Sequence, residues 1–181
     1  MQIEERTLEF NVAYHLSPYQ GPVRRDLDEI AQVCDGVYLP VTEAMLLDAP
    51  RLIRYAVDCA RETDLIAMFV LSGFGNLLGG GHSASVFAAR HPELNCVTSR
   101  GRSVPVSCPN KPAVRSYFKW VVEDMTQRFD GAGFLAYLPS FSLPAHLGTL
   151  EEGEVLCRCV DCQAAYRAWS GGEMPTQRTA D

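Results

Sequence analysis

Leu65-Ile66-Ala67-Met68-Phe69-Val70-Leu71-Ser72 is the stretch on which the fold turns. Its first seven residues are apolar without interruption. A strand with one wet face alternates polar and apolar residues. An unbroken apolar run of this length is a strand covered on both faces, as in a parallel sheet flanked by helices.

Working outward, further strands read at Leu8–Leu16, apolar on both faces only in places, and at Gly36–Val41 and Gly133–Leu138. Pro40 must sit near the end of the second, because it cannot donate to a ladder. Between the runs, apolar residues return at helical spacing. Leu27, Ile30, Ala31 and Val33 mark a helix over Arg24–Val33, and Leu52, Ile53, Ala56, Val57 and Ala60 mark another, with Asp48 as N-cap and Pro50 in its first turn. Thr42–Leu47 reads as a helical turn. Val114, Tyr117, Phe118, Val121, Val122, Met125 and Phe129 line one face of a longer helix, Ala113–Phe129, closed by Asp130-Gly131. Gly73–Pro112 reads as a long irregular region with a short helix over Ser83–Arg90. Loops of this length in compact domains usually carry function. Strand and helix alternate about four times, the pattern of βα units on a parallel sheet.

The chain has 181 residues, 47% hydrophobic, with net charge -6. That supports a core and disfavours a basic nucleic-acid groove. The N-terminus lacks the apolar segment of a signal peptide, and no apolar run reaches transmembrane length, so a cytoplasmic location is expected, with no membrane partner. The expectation is a single domain over residues 1–169 and a disordered tail over 170–181.

Three of the seven cysteines fall within six residues, Cys157-Arg158-Cys159-Val160-Asp161-Cys162. Packing does not call for such density. A zinc ion does, since it takes four soft or borderline ligands in a tetrahedron. Cys108, in Ser107-Cys108-Pro109-Asn110, is the candidate fourth ligand, and the alternative is free thiols or a redox pair. Cys34, Cys59 and Cys96 have no partner spacing and read as small buried apolar residues. Glu151, Glu152 and Glu154 read as a solvated acidic face. His15 reads as a core imidazole, and Trp169 as packing for a last helix over Asp161–Trp169.

Gly73-Phe74-Gly75-Asn76-Leu77-Leu78 misses the dinucleotide fingerprint, because Leu78 stands where the third glycine belongs. It reads instead as a βα loop, whose Gly79-Gly80-Gly81-His82-Ser83 continuation can present backbone N–H groups to a ligand.

The segment Gly101–Trp169 resembles the N-terminal half of a (β/α)8 glycoside hydrolase barrel, of the kind found in family 42 β-galactosidases and related barrel hydrolases. Two motifs carry the resemblance. Cys108-Pro109-Asn110-Lys111-Pro112-Ala113-Val114-Arg115 is similar to the family's Cys-Pro-Asn-x-Pro-x-x-Arg. Cys157-Arg158-Cys159-Val160-Asp161-Cys162 followed by Tyr166, Arg167 and Trp169 is similar to its Cys-x-Cys-x-x-Cys and following helix. The resemblance implies a partial TIM-type (β/α) barrel and a structural zinc on Cys108, Cys157, Cys159 and Cys162. It also implies carbohydrate activity, with Tyr14, Tyr38, Asn76, His82 and Tyr137 as candidate sugar contacts at the strand ends.

The departures are at the chemistry. The family's acid is a Glu in an Asn-Glu pair ending the fourth strand, and Phe134-Leu135-Ala136-Tyr137-Leu138-Pro139-Ser140 contains neither. The strand that bears the family's nucleophile lies beyond the sequence in hand. Retaining hydrolysis needs two carboxylates. The alternative is therefore a degenerate or truncated barrel that binds a saccharide or a protein without turnover. A full barrel runs to about 250 residues, so a homodimer or a second half-barrel is the expected partner. Direct thiol redox or metal handling ranks behind both.

Overall fold

The structure is a computed structural model that describes residues 10–71, 85–129, 133–135, 151 and 153–175. It is a mixed α/β chain whose contacts gather into two compact units. One comprises residues 1–71 and 124–136, the other residues 72–123 and 137–181.

The first unit is built on a parallel sheet. Its strands are β1 (Asn11–Ala13), β2 (Gly36–Val41), β3 (Ile66–Leu71) and β6 (Gly133–Leu135), in the order β1-β2-β3-β6. Val37 pairs with Ala67 and Leu39 with Phe69, and Phe69 pairs in turn with Phe134. Helices α1 (Gln20–Ile30), α2 (Glu43–Asp48) and α3 (Pro50–Glu62) fill the connections. α1 turns Val23 and Leu27 inward, and α3 turns Ile53, Ala56, Val57, Cys59 and Ala60 inward. These positions repeat at three and four residues, so each helix shows one apolar stripe to the core.

The double burial expected of β3 belongs more fully to β2, where every residue but Tyr38 is buried. In β3 burial alternates, with Ala67, Phe69 and Leu71 inside and Ile66, Met68 and Val70 half-buried. Phe69 is the hub of this core. Its ring meets Phe129 edge-on at 6.0 Å and Phe134 at 5.7 Å, within the range where aromatic pairs attract beyond simple burial.

The structure differs from expectation at the start of α3 and at His15. Asp48 ends α2 and does not cap α3. The residue before α3 is Ala49, which offers no side-chain acceptor, while Pro50 supplies the preset φ of a first turn. α2 does carry a cap, with Thr42 Oγ1 accepting from the Met45 N–H at 3.2 Å. His15 is exposed, because the chain has left β1 by that point.

The second unit holds α4 (Val86–Arg90), a two-stranded antiparallel ribbon of β4 (Asn95–Val97) and β5 (Ser103–Ser107), and α6 (Val160–Ser170). Helix α5 (Pro112–Arg128) lies here up to residue 123. The ribbon falls within the region read from sequence as irregular. Thr98 closes its loop. Its N–H donates to Arg102 O at 2.8 Å, its carbonyl accepts from Gly101 N, and its hydroxyl accepts from the N–H groups of Arg100 and Arg102. Gly101 has φ +80°, the left-handed region that glycine enters without steric cost.

Phe87 of α4 stacks on Tyr117 of α5 at 4.0 Å, and Trp120 continues the stack at 5.7 Å. Trp169 is 82% exposed and touches Tyr166 by its edge, so it does not pack α6 into the core. α6 ends at Ser170, and Gly171 caps it at φ 73°.

Candidate metal centre

The two cysteine segments meet on the β4–β5 ribbon. Val104, Val106 and Cys108 alternate along one strand, so they share a face, and all three are buried. The Cys108 N–H donates to Leu94 O at 2.9 Å, and its carbonyl accepts from Lys111 N at 3.1 Å. The second segment is laid against the ribbon's loop by paired backbone bonds. Ser99 N donates to Val155 O at 3.0 Å, and Arg158 N donates to Val97 O at 2.7 Å.

An ion pair between the exposed Arg102 and the buried Glu154 fixes the approach. Arg102 Nε donates to Glu154 Oε1 at 3.1 Å, and its Nη2 donates to Oε2. Glu154 Oε2 also accepts from the Glu151 N–H at 2.8 Å. The Arg102 guanidinium, against the opposing effect of burial, holds the Glu154 carboxyl down at about 2. The acidic run is thus not uniformly a solvated face. Glu154 is buried, Glu151 is exposed and pairs with Arg100, and Glu152 lies outside the described residues.

These contacts bring Cys108, Cys157, Cys159 and Cys162 together, with all four sulfurs within 4.8 Å of one another. Cys108 Sγ lies 3.3 Å from Cys162 Sγ and 3.5 Å from Cys159 Sγ. Around a tetrahedral ion with Zn–S bonds of about 2.3 Å, sulfurs sit about 3.8 Å apart. The two short spacings fall within about 0.5 Å of that value and all four sulfurs lie within 4.8 Å, so the donor set fits a metal of this size.

The surroundings fit thiolates. Val97 N–H points at Cys157 Sγ at 3.3 Å, Asn110 Nδ2 at Cys162 Sγ at 3.1 Å, and Cys162 N–H at Cys159 Sγ at 3.5 Å. Cys159 is the N-cap of α6, where the free N–H groups and the helix dipole favour negative charge. Asn110 is itself held, since Arg115 Nη1 donates to its carbonyl at 2.6 Å. The thiols of Cys108 and Cys162 drive Cys157 strongly toward its thiolate form, with Cys96 contributing less.

Cys96 is the residue that sequence spacing missed. It is 5% exposed and packs with Cys108, Cys159, Cys162 and Cys157. Its own thiol is pulled down by Cys108 but pushed up more by Cys157 and by burial, and the thiols of Cys108 and Cys162 are likewise pushed up by their neighbours. The signal that finds it is the ribbon, because Cys96 pairs with Val104 and shares the face of Val106 and Cys108. Cys59 is buried on α3 and Cys34 is half-buried.

Of the sugar-contact candidates, Tyr14 and Tyr38 are described, and they are neighbours, since the Tyr14 N–H donates to Tyr38 O at 2.9 Å. The Tyr14 hydroxyl donates to Asp26 Oδ2 at 2.9 Å, and burial followed by that bond raises it to about 12. It ties the end of β1 to α1. Tyr38 is half-buried in the middle of β2, between Ala13 and Met68. Asn76, His82 and Tyr137 lie outside the described residues. Glu43, buried at 3% exposure, sits two residues past the end of β2.

No protein-family model matches the sequence, and no curated protein matches it as a relative. Among the described residues, no helix is long and apolar enough to cross a membrane.

Proposed function

We propose that this chain is a glycoside-hydrolase-like (β/α) domain, a partial barrel that engages saccharide, and that its four cysteines hold a structural zinc ion. The convergence of Cys108, Cys157, Cys159 and Cys162 carries the metal reading. Four thiolates complete a tetrahedral shell, whereas a catalytic zinc keeps one position for water. The ion's work is therefore to staple the 108–110 turn to the 157–162 loop and the start of α6.

Strand order supports the barrel reading. In β1-β2-β3-β6 each parallel strand lies beside the parallel strand before it, with no reversal. Doubly wound sheets reverse at a switch point, and barrels advance in one direction. Within the described sheet, β1 and β6 are the edges where a second copy or further barrel strands would pair.

The carbohydrate reading rests on the two cysteine motifs and their resemblance to barrel hydrolases. Binding without turnover is the second reading, favoured by the absence of Asn and Glu from the fourth parallel strand and its sequel, Phe134–Ser140. If turnover occurs, we assign it to Glu43, the first residue of α2, two residues past the end of β2 and so near the end of a barrel strand.

The test is titration of zinc-loaded protein with a panel of mono- and oligosaccharides, alongside aryl glycoside hydrolysis by wild type and Glu43→Gln. Binding supports the carbohydrate reading, and hydrolysis lost in Glu43→Gln makes the chain an enzyme. Neither binding nor turnover, with zinc in place, would overturn the carbohydrate half and leave the metal half standing.

A further inference from the structure

We propose that Cys96 and Cys157 form an oxidative modification site, in which Cys96 resolves an oxidised Cys157 into a disulfide and releases the metal. The inference rests on the metal reading above and adds a fifth thiol to it. Four cysteines satisfy a tetrahedral ion, so Cys96 is held against the centre with no bond left to make. It is buried there with Cys108, Cys159 and Cys162, and the half-buried Cys157 packs against the same cluster. The residue next to it, Val97, grips the Cys157 segment on both sides. Its N–H reaches Cys157 Sγ at 3.3 Å, and its carbonyl accepts from Arg158 N at 2.7 Å.

Access selects Cys157. Cys96, Cys108, Cys159 and Cys162 are buried, and Cys157 alone of the five is partly exposed. A peroxide therefore meets Cys157 first. The thiolate attacks one peroxide oxygen, and the O–O bond breaks. Sulfur becomes sulfenic acid, and hydroxide leaves. The Cys96 sulfur then attacks the Cys157 sulfur, forming the S–S bond. The sulfenic oxygen leaves with the Cys96 proton as water. Two thiols are oxidised and one peroxide is reduced. The ion is left with three thiolates and an open position. A small-molecule dithiol reverses the step. Without a resolving thiol, sulfenic acid advances to sulfinic acid, which a dithiol does not reduce.

The test uses the full chain as purified with zinc, in wild-type, Cys96→Ala and Cys96→Ser forms. Metal content is measured first. Hydrogen peroxide is then titrated in, with zinc release followed by a chromogenic chelator. Disulfides are mapped by alkylation and peptide mass spectrometry, and dithiothreitol plus zinc is added back. Wild type is expected to yield a 96–157 peptide and to recover its zinc fully. Both variants are expected to bind zinc normally, to accumulate sulfinic acid at Cys157, and to recover several-fold less zinc.

A disulfide joining Cys157 to Cys108, Cys159 or Cys162 in wild type would overturn the assignment. So would full recovery in the variants. A chain without metal before any peroxide is added is the separate failure of the metal site, and it overturns metal release with it.

Discussion

The two units solve the same problem by different means. The first folds around apolar side chains. Val37, Leu39, Val41, Ile53 and Phe69 are sealed within it, and the parallel strands are covered by helices with apolar stripes. Among the described residues the second has one short antiparallel ribbon beside the cysteine centre, and four of the six residues in the buried cluster there are cysteines. Cys96, Cys108, Cys159 and Cys162 stand with Val104 and Val106. Small cores without enough apolar surface are commonly stapled by disulfides or metals. If the cysteine cluster holds its metal, one region is kept by hydrophobic burial and the other by coordination, and the two should fail under different insults.

The largest expected effect is metal removal. Chelation, or Cys159→Ser, should unfold the second unit while the first keeps its protection in hydrogen exchange. Small zinc domains derive on the order of 10 kcal/mol from their ion. Equal loss of protection in both units would erase the distinction. Phe69→Ala is the converse experiment. Truncating a buried Phe costs about 3–5 kcal/mol, so chemical denaturation should show a loss of that size with one metal ion per chain retained. Metal loss on that substitution would contradict the separation.

The third test is acid. Glu154 has its pKa held at about 2 in the folded state, against an ordinary 4.5. A depressed pKa gives stability that is present above the ordinary value and lost as pH falls from about 4.5 toward about 2. Melting temperatures across that window should fall more steeply for wild type than for Glu154→Gln. Parallel curves would show that the Arg102 pair is not stabilising. The smallest effect is at Ser107, whose buried Oγ has no hydrogen-bond partner among the described residues. Removing an unsatisfied group recovers desolvation cost, so Ser107→Ala should be neutral or stabilising by about 1 kcal/mol. A clear loss would mean that the hydroxyl has a partner after all.

Much of the first unit was legible in the sequence because its signals are local. Leu65–Ser72 announces a covered strand, and Ile53, Ala56, Val57 and Ala60 announce a helix face. The four clustered cysteines were legible because metal chemistry demands dense thiols. The ribbon was not. Asn95–Val97 is only three residues long, and its loop is closed by the Thr98 side chain, a contact no hydropathy pattern contains. Missing the ribbon meant missing Cys96, which only strand pairing brings to the centre. Glu154 was misread for a related reason. Its charge looks solvated until Arg102, 52 residues earlier, is folded against it.

Native mass spectrometry of the purified chain tests the central claim most directly. The expected result is one zinc ion per chain, retained through gentle ionisation and lost in Cys159→Ser. A wild-type chain that carries no metal when prepared with zinc and reductant would contradict it, and the four thiols would then need another explanation.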